Sequence, residues 1–177
     1  MAAEVMRKGG VIAYATEGVI GLGCDPANDF ALLRLLDIKQ RPYQKGLILI
    51  ASEVAQLEPW VDFSMVGDLN SLLNSWPGPE TWIVPKHPGI SRLVSGTHSS
   101  IAVRVTEHPQ VIKLCDSFGG AIISTSANLA GHPTKTSLFE VRQQLGNRVD
   151  HYLGGEVLEP GKPSRIRDAI TGKTLRA

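Results

Sequence analysis

Ala121-Ile122-Ile123-Ser124-Thr125-Ser126-Ala127-Asn128 sets three apolar residues directly before a run of small polar ones. A short apolar run bounded by polar turn formers reads as a buried strand. The polar run places hydroxyls and an amide at the end of that strand. In open α/β sheets, ligands bind outside the strand ends. Hydroxyls and free N–H groups there can cradle an anion. The same residue types also favour ordinary turns and caps, so the segment alone leaves crevice and turn evenly balanced.

Working outward, Val11-Ile12-Ala13-Tyr14-Ala15 has the same character and reads as a buried strand. Gly18, Gly21 and Gly23, followed by Asp25-Pro26, read as a turn-rich segment. Asn28 or Asp29 suits the cap of a helix whose Leu32, Leu33, Leu35 and Leu36 form a core-facing stripe. That helix ends near Lys39, and Pro42 stops it. Gly46 to Ala51 is a second buried strand. Ser52 to Leu57 begins a short helix, and Ser64 to Ser75 forms a longer one that Trp76-Pro77-Gly78-Pro79 must break. Thr81 to Val84 and Ile101 to Val105 are strands, and His108 to Phe118 is a helix. Ser137 to Leu145 is another helix, with Thr136 or Ser137 as cap and Glu140 placed for a capping box. The tail holds strands near His151–Leu153 and Ile166–Ile170, and Thr171-Gly172 turns it into Lys173 to Arg176.

Strands and helices alternate, which predicts one α/β domain over residues 1–177, a twisted sheet covered by helices. Thr81–Val84 and Ile101–Val105 have no helix between them, so the sheet is expected to be mixed. The chain has 177 residues, enough for one domain with a real core. Its 18 basic residues balance 17 acidic ones, so any electrostatic site must come from local clustering. Apolar runs such as Leu47 to Ala51 are far below membrane-spanning length, and Val11 to Ala15 is too short for a secretory signal. A cytoplasmic location is therefore expected, with Cys24 and Cys115 as free buried thiols.

Lys39-Gln40-Arg41-Pro42-Tyr43-Gln44-Lys45-Gly46 gathers cations between a helix end and a buried strand. They can serve as partners of the helix dipole. They can equally hold a polyphosphate, Arg as a planar fork and Lys as a compact charge. Along Ser100-Ile101-Ala102-Val103-Arg104-Val105, period two puts Ser100, Ala102 and Arg104 on one face. A buried arginine needs a partner. An internal Asp or Glu and a substrate carboxylate both qualify. Thr16-Glu17 with its glycines resembles a phosphate loop only weakly, being neither G-x-G-x-x-G nor a Walker A loop. The five histidines show no metal-ligand spacing, so no protein-held metal is expected.

Taken in order, several segments resemble the YrdC/TsaC family of threonylcarbamoyl-AMP synthases. They are Val11-Ile12-Ala13-Tyr14-Ala15-Thr16-Glu17-Gly18, Gly21-Leu22-Gly23-Cys24-Asp25-Pro26, and the Lys39-x-Arg41-Pro42 run through Lys45-Gly46 to Ile50. Trp76-Pro77-Gly78-Pro79 with Thr81, the Ser100 to Val105 strand, and Ser124 to Asn128 with Gly131 complete the set. Together they span residues 9–135, and the short single-domain bacterial form is the nearer match. Ala15 stands where the family has proline, Glu80 where it has an apolar residue, and Ile50 where long forms have histidine.

The resemblance implies a twisted mixed sheet, flanked by helices, with a large concave, positively lined cavity. It implies that Lys39, Arg41, Lys45, Ser100, Ser126, Asn128, Thr134 and Arg176 contact ATP, with Lys39 and Arg41 catalytic. Thr16, Arg104, Ser124 and Ser164 fall where the family contacts threonine. The implied reaction joins L-threonine, bicarbonate and ATP into threonylcarbamoyl-AMP, with Mg²⁺ accompanying ATP and no organic cofactor. Partner proteins then pass the threonylcarbamoyl group to the adenosine 3′ of a tRNA anticodon. Direct contact with tRNA or double-stranded RNA fits the implied concave basic surface, and a non-catalytic RNA-binding or ribosome-maturation factor is the main rival. A carbamoyl-transfer domain ranks lower, because such domains sit in longer chains with zinc-finger and acylphosphatase segments.

Overall fold

In the computed structural model, which describes residues 1–162 and 164–176, the apolar runs pair into one mixed sheet. Its strands are β1 (Ile12–Ala15), β2 (Ile20–Gly23), β3 (Ile48–Ala51), β4 (Glu80–Pro85) and β5 (Ser100–Val105). β6 (Ile122–Ser126), β7 (His151–Leu153), β8 (Arg165–Asp168) and β9 (Thr174–Arg176) follow. The order across the nine-stranded sheet is β7-β1-β2-β6-β3-β5-β4-β8-β9. The pairs β1–β7, β3–β5 and β4–β8 are parallel and the remaining pairs antiparallel, so the sheet is mixed as expected, although the four-residue Arg92–Ser95 helix does lie between β4 and β5. The helices are α1 (Ala2–Arg7), α2 (Asp29–Lys39), α3 (Leu69–Asn74), α4 (Arg92–Ser95), α5 (Pro109–Phe118) and α6 (Leu138–Leu145).

The two faces of the sheet are covered differently. On one, Leu32 and Leu35 of α2, Leu72 of α3, Val94 of α4 and Val141 of α6 join Leu22, Leu49, Val84, Val103 and Ile123 in a continuous core. On the other, Met6 of α1 and Val111 and Leu114 of α5 pack on Ile12, Tyr14, Ile50 and Ile122. Beyond that second cluster the cover stops. Ser124, Ile48, Ala102 and Ile83 are register partners across β6, β3, β5 and β4, so they share this face, and each is half-buried. Their neighbours on the opposite face, such as Leu49, Val103 and Val84, are buried.

Several elements differ from the sequence reading. The glycine-rich stretch is not a turn throughout: residues 20–23 form β2, between β1 and β6. Its glycines make room for a ring. A Cβ at Gly21 would stand 3.5 Å from Tyr14 Cζ, and one at Gly23 only 2.8 Å from Tyr14 Cε1 and 2.5 Å from the Ile123 carbonyl. Glycine inside a strand marks such a close approach. β6 continues through Ser126, because its polar residues pair with β2 and β3, with Ser124 and Ser126 facing the open strip. Leu33 is 55% exposed and lies outside the core stripe, whereas Lys39 is inside it. α2 ends through Gln40 in the left-handed region (φ 51), just ahead of Pro42.

The expected helix from Ser64 to Ser75 is instead a 3-10 turn at Phe63–Met65 followed by α3. Asp62 accepts from the Ser64 amide and Asp68 from the Ser71 amide, so two caps start two short pieces. Ser137 heads α6 without a side-chain cap bond, and the four-residue α4 is too short to show a period. No helix among the described residues is long and apolar enough to cross a membrane. Cys24 and Cys115 are buried and free.

Gly23→Ala is expected to destabilise the protein by about 1–3 kcal/mol, since the added methyl meets a backbone carbonyl and the Tyr14 ring. Gly120→Ala, where nothing lies within 4 Å, serves as the near-neutral control. Urea denaturation of both variants measures the contrast.

Candidate active site

The half-buried strip crosses four adjacent strands. At about 4.8 Å per strand it runs roughly 14 Å from Ser124 to Ile83. Strand alternation adds Ser126 beyond Ser124 on β6, and Ser100 and Arg104 on either side of Ala102 on β5. Arg176 of β9 pairs with Ile166 of β8, whose other partner is Thr81 on β4, so Arg176 shares the face too. Ser100, Arg104, Ser124, Ser126 and Arg176 thus meet on one side of the molecule.

The cation loop borders the strip. Lys39 is 3% exposed, and its Nζ donates to the carbonyls of Ser126 and of Asn128, the latter at 2.8 Å. Burial, and then the charge of Arg41, push Lys39 down to about 8. The Nε and Nη2 of Arg41 donate to the Gly46 carbonyl at 3.2 and 2.9 Å, closing the loop on itself. Burial pushes the Arg41 guanidinium down as well. Lys45 is exposed and lines a small pocket of about 140 Å³ with Gly46, Ser95, His98, Ser100 and Ile83. Small-molecule pockets run from roughly 300 Å³ upward, so this pocket is at most one end of a nucleotide site.

Asn128 donates through Nδ2 to the Leu129 and His132 carbonyls, while its buried Oδ1 has no partner among the described residues. Thr134 is exposed in the segment after β6, which the Ile20 amide ties back to β2 through the Lys135 carbonyl at 2.7 Å. A second hollow, about 410 Å³, lies between this segment and α6 and is lined by His132, Pro133, Lys135, Glu140, Gln143 and Gln144. None of the ATP- or threonine-contacting residues expected from the sequence lines it.

At the other end of the strip, Arg104 and Glu17 form a buried ion pair, Nη2 to Oε2 at 2.9 Å, with side chains 10% and 8% exposed. The internal partner left open by the sequence is therefore real. Glu17 also accepts from Thr106 Oγ1 at 2.5 Å and from the Glu107 amide at 3.3 Å. A guanidinium has five N–H donors, so pairing with Glu17 through Nη2 is compatible with a second acceptor. Arg176 donates to the Ser164 carbonyl at 3.2 and 2.6 Å, and Ser164 Oγ lies 2.8 Å from Thr81 Oγ1. Burial, and then the charge of Arg104, push the Arg176 guanidinium down. Thr16 is buried and donates its hydroxyl to the Val19 carbonyl at 2.7 Å, inside the β1–β2 turn.

Sequence reasoning assigned no role to Glu17, Thr106 or Thr81. An inward arginine on β5 needs an acid, and Glu17 stands beside the assigned Thr16, so that signal was present. Glu80, the departure after Trp76-Pro77-Gly78-Pro79, is buried and pairs with Arg165 at 2.6 Å. Ile50 is buried beneath α5, and Ala15 lies wholly inside the sheet. Among the described residues no group of three or more His, Cys, Asp or Glu is placed to hold a metal ion.

Residues 4–177 match the family described as telomere recombination, Sua5/YciO/YrdC. The threonylcarbamoyl-AMP synthase of Aliivibrio fischeri is 51% identical over 175 residues, covering 98% of this chain and 95% of that one. The crystal structure of P. abyssi Sua5 complexed with L-threonine superposes with a TM-score of 0.86 at 29% identity, over 94% of this chain and 49% of that one. The chain therefore spans about half of that larger protein. E. coli YciO superposes with a TM-score of 0.81 at 27% identity, over 99% of this chain and 88% of that one.

Burial would raise the Glu17 carboxyl, but Arg104 and the Thr106 hydroxyl outweigh it and hold Glu17 below the ordinary 4.5. Its stabilisation is then fully present above pH 4.5 and lost as pH falls through the lower folded value. Glu17→Gln is expected to cost about 3–5 kcal/mol at neutral pH, because it leaves Arg104 buried without its counter-charge. The stability gap between parent and variant should narrow on acidification below that value, measured by urea denaturation across pH. A gap that stays constant contradicts the assignment.

Proposed function

The chain belongs to the Sua5/YciO/YrdC family, and on that membership we propose that it is a threonylcarbamoyl-AMP synthase. It joins L-threonine, bicarbonate and ATP into threonylcarbamoyl-AMP and releases pyrophosphate. The observation that carries this reading is the near-full-length match, at about half identity, to enzymes of that name. The convergence of Ser100, Arg104, Ser124, Ser126 and Arg176 on one open face supports it with a place for the reaction.

In this proposal the strip is the floor of the concave cavity. The threonine amine adds to bicarbonate with loss of water, giving a carbamate. A carbamate oxygen attacks the α-phosphorus of ATP, and the bond to pyrophosphate breaks. Both reactants are anions, so the chain's main task is to offset their repulsion and hold them in line. Lys39 and Arg41 rest on neutral carbonyls, and a triphosphate is the stronger acceptor for both. With Lys45 at the rim they stabilise charge that develops on the phosphoryl group and on pyrophosphate. Ser100, Ser126, Asn128 and Thr134 border the nucleotide. Asn128 Oδ1, buried without a partner among the described residues, offers an acceptor for an amine or hydroxyl of that ligand.

Arg104 receives the threonine carboxylate, Ser124 and Ser164 line the same end, and Thr16 shapes the wall through its turn. Mg²⁺ arrives on the triphosphate and neutralises part of its charge. On the same reading, partner proteins pass the threonylcarbamoyl group to the adenosine 3′ of a tRNA anticodon.

Protein supplied with ATP, Mg²⁺, threonine and labelled bicarbonate is expected to yield labelled adenylate and pyrophosphate, with each substrate required. Lys39→Ala or Arg41→Ala should cut turnover at least about a hundredfold, as loss of a transition-state donor does. Near-normal rates in either variant overturn the catalytic assignment.

Because burial pushes Lys39 down to about 8, ATP affinity measured by calorimetry should fall as pH rises through that value. Lys39→Met should show weak binding without that slope. A flat profile in the parent contradicts the role given to Lys39.

A further inference from the structure

We propose that Glu17 is a positioning residue for the amino-acid half of the reaction: its carboxylate sets the Arg104 guanidinium at the angle that receives the substrate carboxylate. The inference rests on the synthase reading above and adds to it a residue that contacts no substrate.

Glu17 is held from several directions. Arg104 Nη2 lies on Oε2 at 2.9 Å, and Thr106 Oγ1 and the Glu107 amide lie on Oε1 at 2.5 and 3.3 Å. Thr106 Oγ1 in turn accepts from the His108 amide at 3.1 Å, and His108 is the buried residue at the head of α5. The backbone of the same turn is also fixed. The Glu17 carbonyl accepts from the Glu159 amide at 2.7 Å, and the Gly18 carbonyl from the Gly161 amide at 2.9 Å. A Cβ at Gly18 would stand 2.1 Å from the Lys162 carbonyl, so the chain after β7 lies directly against this turn. Past it that chain reaches Ser164, which accepts from Arg176. Glu17 therefore joins β1, β5, the head of α5 and the segment that carries Ser164.

Both carboxylate oxygens are engaged by donors, and the Arg104 charge keeps the group ionised, so Glu17 is a poor acceptor for a substrate proton. Its effect is on orientation and on charge. Glu17 neutralises Arg104, while Arg176, on the same face of the sheet, has no carboxylate partner among the described salt bridges. The end of the strip keeps a net positive charge and a guanidinium of fixed tilt. That combination fits one small carboxylate.

The test compares parent, Glu17→Gln and Thr106→Val by steady-state kinetics of pyrophosphate release, with thermal unfolding in parallel. Glu17→Gln should raise the KM for threonine at least about tenfold, the loss of one charge-assisted hydrogen bond to the residue that binds it. The KM for ATP should stay unchanged. Thr106→Val, which removes the hydroxyl donor from Glu17 Oε1 and leaves the Glu107 amide without altering charge, should move the threonine KM in the same direction by less. It keeps the test open should Glu17→Gln fail to fold. A folded variant with lowered melting temperature but an unmoved threonine KM means a merely structural ion pair and overturns the proposal. Parent protein that releases no pyrophosphate in response to threonine refutes the synthase reading itself, and the role of Glu17 with it.

Discussion

The second face of the sheet is longer than its cover. Nine strands at about 4.8 Å each span roughly 38 Å. The helices packed there, α1 and α5, have 6 and 10 residues. Side by side, at about 10 Å per helix, they shield only about half of that width. Everything specific to the site follows from this shortfall. Where α1 and α5 lie, the sheet presents Ile12, Tyr14, Ile50 and Ile122. Beyond them it presents Ser124, Ser126, Ala102 and Ser100, small residues that bear exposure and leave room for a ligand. The opposite face, packed by α2, α3, α4 and α6, holds the larger core behind the strip.

Electrostatics at the edges of the strip follow from the same geometry. Lys39, Arg41 and Arg104 are withdrawn from water by the elements around them, yet among the described residues Lys39 and Arg41 donate to neutral carbonyls. A desolvated cation on a weak acceptor attracts an anion more strongly than one already neutralised. Arg104 is the exception, with Glu17 as counter-charge. Buried ion pairs add little net stability over apolar packing, so this pair is better explained by what it holds in place than by what it contributes to folding.

Much of this was legible in the sequence, for physical reasons that differ by element. β1, β3 and β5 are apolar runs of strand length, and α5 is bounded by His108-Pro109 and Gly119-Gly120, so pattern and punctuation agreed. β2 was hidden because its glycines, placed to admit the Tyr14 ring, look the same as turn glycines until the ring is seen. The expected helix from Ser64 to Ser75 is two pieces because Asp62 and Asp68 cap each separately. In the site, the alternation along β5 placed Arg104 inward, and the cation run marked the loop around Arg41. The acid partner of Arg104 and the carbonyls under Lys39 and Arg41 lie far off in sequence or in the backbone. No local pattern encodes them.

The central claim, that the uncovered half of the sheet is where threonine and ATP meet, is tested most directly by a crystal structure with L-threonine and a non-hydrolysable ATP analogue. The account predicts the amino acid with its carboxylate on Arg104, and the triphosphate between Lys39, Arg41 and the end of β6. Ligands seated on the α2–α6 face, or in the hollow between His132 and Gln144, would contradict it.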